Sequence, residues 1–188
     1  EDLIVQTELK NLCLIPETPE LVALNDSLSN INRREYWLDE KIITPLKEYF
    51  DLIVMDCSPN WNKLTTNALV ACDFLLSPLE CKINNYRNFK VFRGFLKEFK
   101  NEMSLDFKNI FVPTKFAENR KLGMEIKSWY HENVEGCTKG AIRDGVLGEE
   151  ATAMNLSFVE HDPSKNASKE MADLLKEVYK VMEETLEN

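Results

Sequence analysis

The sequence predicts an α/β fold with a mostly parallel sheet and helices on both of its faces. Short apolar runs alternate with amphipathic stretches along all 188 residues, which is typical of strand–helix repeats. The clearest run, residues 51–56, is aliphatic without polar alternation, as in a strand that is buried on both faces. With six glycines and seven prolines there is no flexible linker, so we expect one domain over residues 1–188.

Each element is predicted from its own local pattern. A short strand is expected at residues 11–15, where Pro16 stops it. Thr18 is expected to cap a helix that has Pro19 in its first turn. Apolar spacing predicts further helices over residues 36–49, 64–72, 84–101, 121–132 and 168–186, and strands over residues 51–56, 73–79, 109–114 and 156–159.

The composition excludes several classes of function. Lys and Arg total 23 against 32 Asp and Glu, which gives a net charge of −9, so the chain is not a polycation that coats nucleic acid. Its longest aliphatic run, residues 52–55, is far shorter than the ~20 residues of a membrane span, and we expect no membrane partner. Five cysteines without a Cys-x-x-Cys spacing argue against a disulfide framework or a zinc site and favour a cytoplasmic location.

Candidate ligand-binding residues follow the predicted strands, because parallel sheets bind ligands beyond the carboxyl ends of their strands. Asp56 is the strongest candidate, since it ends the aliphatic run and opens the segment Asp56-Cys57-Ser58-Pro59. A carboxylate at this place either caps the next helix or holds Mg²⁺, as the Walker-B aspartate does in P-loop NTPases. The residue pattern leaves both interpretations open.

A basic stripe interrupts this acidic chain. Between residues 82 and 100 there are six basic residues and one acidic residue. At 100° per residue one arc of the predicted helix is basic and the opposite arc is apolar. The basic arc carries Arg87, Lys90, Arg93, Lys97 and Lys100, and the apolar arc, expected to be buried on the sheet, carries Phe89, Phe92, Phe95, Leu96 and Phe99. The basic arc is a solvated face, a partner contact or a surface for DNA phosphates.

Several motifs, in order, resemble the ParA family of DNA-partitioning ATPases, the deviant-Walker-A group that includes Soj and MinD. The central motif is an aromatic-Asp pair, an aliphatic run and Asp-x-x-Pro at residues 50–59, followed by Leu-Thr-x-Asn-Ala-Leu and Ala-x-Asp at residues 64–73. Residues 11–16, residues 111–116 with Arg120, and residues 161–165 resemble further family segments. The resemblance covers essentially the whole chain.

This resemblance implies a three-layer P-loop NTPase-like fold with ATP and Mg²⁺ as cofactors. Asp56 would hold Mg²⁺ as a catalytic residue, Ser58 and Pro59 would lie where the γ-phosphate is sensed, Thr114 would lie beside the base, and Arg143 would belong to the loop that closes over the purine. The implied function is plasmid or chromosome partitioning by an ATPase that forms a homodimer on ATP and binds DNA nonspecifically. A ParB-like centromere-binding protein would stimulate it, and it would be cytoplasmic and nucleoid-associated in a bacterium.

One departure from the family is large. The first fifty residues contain no glycine, and nothing there resembles the Gly-x-x-x-x-Gly-Lys phosphate loop. We therefore expect the carboxyl-terminal portion of such an ATPase, with its amino-terminal P-loop unit missing and no ATP hydrolysis by this portion alone. The alternatives are a non-catalytic dimerisation or partner-binding module, and a MinD-like relative in division-site placement. The latter would end in a basic amphipathic helix, whereas residues 181–188 are acidic.

Overall fold

The computed structural model of the protein describes residues 3–187, with Val22 described by its backbone alone. The chain divides into two compact units, Glu1–Cys72 and Asp73–Asn188. Each unit is described by itself.

Unit 1 is mainly helical. Its two short strands, β1 (Val5–Gln6) and β2 (Cys13–Leu14), pair antiparallel. The helical segments are α1 (Glu20–Ser27), 3₁₀ turns at Leu28–Asn30 and Arg34–Tyr36, a π-helical turn at Asp39–Ile43, α2 (Thr44–Leu46) and α3 (Lys63–Ala71). The expected cap at Thr18 is wrong: Pro19 is the N-cap of α1 and no side chain caps the helix. Thr18 contributes its backbone carbonyl instead, which accepts from Leu21 N–H at 3.0 Å.

The helix α3 begins at Lys63, one residue before its predicted start. Asn62 is its N-cap, and the Asn62 side chain accepts a hydrogen bond from Thr65 N–H at 2.9 Å. This bond satisfies one of the backbone donors that a helix leaves unpaired in its first turn. Asn67, one turn further on, is 1% exposed and lies in the interior of unit 1.

The predicted strand over residues 51–56 is not formed. Within residues 3–187 no backbone pairs with this segment in a ladder, and Leu52 and Val54 are 44% and 81% exposed. A strand exists through hydrogen bonds to a neighbouring strand, because its own residues cannot satisfy one another. The aliphatic run is therefore suited to a buried strand but meets no partner strand in the part of the chain that the structure describes.

Unit 2 confirms the predicted α/β fold with a parallel sheet. Strands β3 (Phe74–Glu80), β4 (Lys108–Phe116) and β5 (Ile142–Arg143) lie in the order β3-β4-β5, and all pairs are parallel. The register runs from Phe74 opposite Lys108 to Glu80 opposite Thr114. The helices are α4 (Ile83–Met103), α5 (Lys121–Asn133), α6 (Leu147–Ala153), α7 (Phe158–His161) and α8 (Asn166–Leu186).

Helices cover both faces of this sheet. Phe111 of β4 packs with α4 and α5 in one core, which includes Phe89 and Tyr130. Ile110 and Val112, its neighbours along β4, point to the opposite face and pack with Leu174 and Val178 of α8. Because successive side chains of a strand alternate between faces, the apolar centre of β4, residues 110–113, is buried on both sides of the sheet.

Two further expectations are corrected in unit 2. Residues 156–159 do not form a strand, because a capping box starts α7 there: Ser157 Oγ accepts from Glu160 N–H, and Glu160 Oε2 accepts from Ser157 N–H. Phe95 is 59% exposed instead of buried, whereas Phe89 and Leu96 are 3% and 2% exposed. Phe89 and Leu96 are seven residues apart and share one line on the helix, and Phe95 lies about 100° away from that line.

Candidate functional site

Asp56 lies on the surface of unit 1 in a loop that is tied to the start of α3. Asn60 N–H donates to Ser58 Oγ at 3.3 Å, and Thr65 Oγ donates to the Asn60 carbonyl at 2.8 Å. Ser58 and Pro59 are exposed beside Asp56. Burial, and to a smaller extent the Asp56 carboxylate, raise the pKa of the neighbouring Cys57 thiol.

The Asp56 carboxylate is available to a cation. Among the described residues it makes no hydrogen bond or ion pair, and no group of three or more His, Cys, Asp or Glu side chains gathers that could hold a metal. Mg²⁺ is commonly held by one or two carboxylates together with water and substrate phosphates, so a single exposed aspartate fits that ion as a partial ligand set. The geometry is compatible with the predicted role.

The carboxyl ends of β3 and β4 in unit 2 carry a compact cluster of charges. Glu80 ends β3 and forms ion pairs with Lys115 and, at 3.2 Å, with Lys82. Hydrogen bonding from Lys115, with a smaller contribution from Lys82, lowers the pKa of Glu80. Thr114, the predicted base-side residue, lies opposite Glu80 in the register and is half-buried, and Lys115 after it has a left-handed φ of 53°.

Beyond the ends of β4 and β5 lies a cleft of about 330 Å³. Its lining comes from the β4–α5 and β5–α6 connections and consists of Ala117, Asn119, Arg120, Asp144, Gly145, Val146 and Glu149. Asp144 N–H donates to the Phe116 carbonyl at 2.7 Å, which ties the two connections together. The resemblance placed Arg120 near the base and the neighbours of Arg143 in the purine loop, which includes Asp144 and Gly145. It missed Ala117, Asn119, Val146 and Glu149, for which the only signal was their position after a strand.

Arg143, predicted to lie in the purine loop, is held by carboxylates. Its Nη2 lies 2.5 Å from Glu170 Oε1 on α8 and 3.4 Å from Glu118 Oε1, and its backbone N–H donates to Glu170 at 3.3 Å. Hydrogen bonding to Glu170 raises the pKa of Arg143. Glu177, also on α8, accepts from Lys139 N–H at 2.6 Å and from Gly140 N–H at 2.8 Å. These carboxylates of α8 therefore fix β5 and the segment before it.

The basic stripe lies on the surface of α4 as predicted. Arg87, Lys90, Arg93 and Lys97 are all exposed, and among the described residues none of them forms an ion pair. Lys100 differs, because its Nζ donates to the Phe107 carbonyl at 2.5 Å and lies 4.5 Å from the centre of the Phe107 ring. Four of the five predicted cations are thus free to meet a ligand.

Comparisons with known proteins identify relatives of the chain. The AAA domain family matches residues 1–109. The chain is 39% identical over 82 residues to the chromosome partitioning protein ParA of Myxococcus xanthus, a match that covers 44% of this chain and 29% of that protein. It is 26% identical over 182 residues to the sporulation initiation inhibitor protein Soj of Bacillus subtilis, over 94% of this chain and 70% of that protein.

Solved structures share the fold at low sequence identity. A putative plasmid partition protein of Borrelia burgdorferi B31 bound to AMPPNP has a TM-score of 0.75 at 22% identity and covers 95% of this chain and 68% of its own. Apo McdA of Cyanothece has a TM-score of 0.76 at 16% identity, over 93% of this chain and 72% of its own. Cobyrinic acid a,c-diamide synthase of Mycobacterium smegmatis with bound ADP and magnesium has a TM-score of 0.67 at 22% identity, over 77% of this chain and 59% of its own.

The parallel sheet with helices on both faces, together with these structural matches, defines the P-loop NTPase-like class of α/β proteins. Within this class the chain belongs to the AAA domain family, and its relatives place it in the ParA/Soj/MinD superfamily. It spans 29% of the Myxococcus protein and 59% of the diamide synthase, less than two thirds of each. No helix among residues 3–187 is both long and apolar enough to cross a membrane.

Proposed function

We propose that the chain acts within a ParA-type ATPase that partitions plasmids or chromosomes. The whole protein binds ATP with Mg²⁺, forms a homodimer on ATP, binds DNA without sequence preference and is stimulated by a ParB-like centromere-binding protein. It works in the cytoplasm on the nucleoid. Two named relatives, the ParA of Myxococcus xanthus and the Soj of Bacillus subtilis, support the partitioning family. The four unpaired cations of α4 carry the DNA-binding part of the proposal.

The nucleotide is proposed to meet this chain at two places. Asp56 would supply a carboxylate to Mg²⁺, with Ser58 and Pro59 near the γ-phosphate. Thr114 and Arg143 would position the base end, Arg143 by holding β5 through its ion pair with Glu170 and not by touching the purine. Mg²⁺ would supply charge neutralisation at the phosphates. Because the 188 residues contain no Gly-x-x-x-x-Gly-Lys sequence, we propose that they do not hydrolyse ATP alone.

The DNA-binding proposal predicts how strongly the affinity for DNA depends on salt. Each contact between a cation and a DNA phosphate releases counterions, so affinity falls with salt with a slope of about −0.9 per contact. Four contacts predict a slope of about −3.6, which corresponds to a loss of about 150-fold in affinity between 50 and 200 mM salt. No carboxylate among the described residues pairs with the stripe to reduce this number.

The affinity of the full-length protein for two unrelated DNA duplexes, measured over a series of salt concentrations, tests the proposal. We expect similar affinities for both duplexes, and in the R87E/K90E variant a slope that is reduced by about 1.8, because two contacts are lost. The matched control is K176E/K180E, which makes the same change of charge at two exposed lysines of α8. An equal loss of affinity in the control, or no loss in R87E/K90E, would refute the role of the stripe.

The enzymatic part has a separate test. Incubation of residues 1–188 with ATP and Mg²⁺ is expected to release no phosphate above the rate of a D56A control. Turnover that depends on Mg²⁺ and is lost in D56A would contradict the proposal that this portion lacks the donors for the phosphates.

A further inference from the structure

A second depression on unit 2 runs along α5 and has an aromatic floor. It has a volume of about 670 Å³ and is lined by Glu118, Asn119, Lys121, Met124, Glu125, Ser128, Trp129 and Glu132. Trp129 and Met124 are half-buried and pack against the core. The indole is held edge-to-face by Tyr86 at 4.9 Å between ring centres and also contacts Tyr130 at 5.9 Å. Its orientation is therefore set before any ligand arrives.

Carboxylates flank this indole. Glu125 lies four residues before Trp129 and Glu132 three residues after it, so all three share one face of α5. Glu118 stands at one end of the groove. Among the described residues the single lining cation is Lys121, whose Nζ lies 3.7 Å from Glu125 in a pair so exposed that it adds little stability. Glu132 forms no ion pair among the described residues.

The lining selects a cationic ligand. Tryptophan is the side chain that attracts cations most strongly through its ring, and a guanidinium can stack on an indole while it donates to neighbouring carboxylates. Met124 offers an adaptable apolar surface to the aliphatic part of an arginine side chain. No basic residue of α4 lines the groove, and Lys127 of α5 is engaged elsewhere, 4.0 Å from the centre of the Phe116 ring. Glu118 is already 3.4 Å from Arg143, and Glu125 is 3.7 Å from Lys121. Glu132 is the lining carboxylate without an ion-pair partner among the described residues, and it would repel an anionic ligand.

We propose that the α5 groove docks a short basic peptide of a partner protein, with an arginine stacked on Trp129 between Glu125 and Glu132. The unpaired carboxylate of the lining and the preset indole argue for this occupant. The proposal goes beyond the proposed function and needs neither nucleotide nor DNA, so either can fail without the other.

A fluorescence-anisotropy titration tests it with a labelled synthetic peptide that carries three arginines spaced by leucines, without nucleotide. We expect binding that is weakened about fivefold in the E125Q/E132Q variant, since each exposed pair contributes a modest amount. The matched control E183Q/E187Q removes one carboxylate from the last turn of α8 and one from its C-cap, both outside the groove, and is expected to bind like the original chain. Circular dichroism of each variant checks that it is folded.

Three outcomes would overturn the proposal. An equal loss of peptide affinity in the control would show that the peptide is attracted by the overall negative charge of the chain. Displacement of the peptide by spermine at the affinity of the peptide itself would assign the groove to free polyamines. In a W37F/W61F background, where Trp129 is the sole tryptophan, its emission is expected to change as the peptide binds, and an unchanged emission spectrum would show that the indole is not contacted.

Discussion

The most direct test of the packing in unit 1 is the substitution Asn67→Ala. The Asn67 amide stands between two backbone groups that would otherwise bond to each other in a helix: its Oδ1 accepts from Leu38 N–H, and its Nδ2 donates to the Arg34 carbonyl, both at 2.9 Å. Nδ2 also donates to the Lys63 carbonyl at 2.8 Å within α3. The side chain is 1% exposed, so water does not replace these bonds without a rearrangement.

The cost of the substitution follows from these contacts. Three hydrogen bonds of about 0.5–1.5 kcal/mol each are lost, and a buried N–H left without a partner adds to that cost. The higher helix propensity of alanine returns about 0.6 kcal/mol. We therefore expect a loss of about 2–3 kcal/mol in the free energy of unfolding of unit 1. Asn67→Asp should cost more, because a carboxylate can accept from Leu38 N–H but would face two carbonyl oxygens.

Urea unfolding followed by tryptophan emission measures the loss, since Trp37 lies directly before Leu38 and both other tryptophans can be replaced by phenylalanine. Hydrogen exchange at the Leu38 amide should be faster in Asn67→Ala, by the factor that corresponds to the same loss of free energy. Asn88→Ala on the exposed surface of α4 is the control and should change stability by less than about 0.5 kcal/mol. The bridging role would be refuted if Asn67→Ala lowered the free energy of unfolding by less than about 0.5 kcal/mol and left the Leu38 amide as protected from hydrogen exchange as before.

Two further predictions concern unit 2. The lowered pKa of Glu80 means that its ion pairs stabilise the fold above its ordinary pKa of about 4.3 and lose that effect as the pH falls through the folded pKa. Glu80→Gln should therefore reduce stability by less than about 1 kcal/mol at pH 7, and by less at pH 3 than at pH 7, as measured by urea midpoints at both values. Glu177→Gln should cost about 1–2 kcal/mol, because its new NH₂ group would face one of the two amides that Glu177 now binds. Glu183→Gln, on the surface of α8, should leave the urea midpoint unchanged.

The helices and strands of unit 2 could be predicted because their signals are local. The apolar runs at β3 and β4 and the 3.6-residue spacing of α4, α5 and α8 each record burial against a neighbour that does exist. The predicted bounds are within a few residues of Phe74–Glu80, Lys108–Phe116 and Asn166–Leu186. Here local propensity and tertiary contacts agree.

Two predicted strands do not form, and the reasons are strand pairing in one case and helix capping in the other. The run at residues 51–56 has strand composition, but the ladder that makes a strand depends on a second segment, which periodicity in one segment does not reveal. At residues 156–159 the apolar residues suggested a strand, although Ser157 and Glu160 have the spacing of a capping box. That second signal was present in the sequence and outweighs a four-residue apolar run.

The candidate site was predictable as a set of positions but not as a set of contacts. The rule that ligands lie beyond strand ends led to Thr114, and the resemblance to the ParA family led to the neighbourhood of Arg143. The rule carries no information about α8, whose Glu170 holds the guanidinium of Arg143 from a position 27 residues further along the chain. Charge partners separated in this way are set by the packing of a helix on the sheet.

In the proposed function, the charges at the carboxyl edge of unit 2 indicate whether this edge would contact the base or the phosphates of a nucleotide. Lys115 is paired with Glu80, and Arg143 with Glu170, so these cations carry little uncompensated charge toward a triphosphate. Arg120 is the one cation among the described residues that line the cleft, and Asn119 offers an amide that can pair with a base. A purine is uncharged and fits such a lining, whereas phosphates require free N–H donors and unpaired lysines. In the proposed function this edge would therefore contact the base, and the phosphates would need other donors, because the 188 residues contain no Gly-x-x-x-x-Gly-Lys sequence.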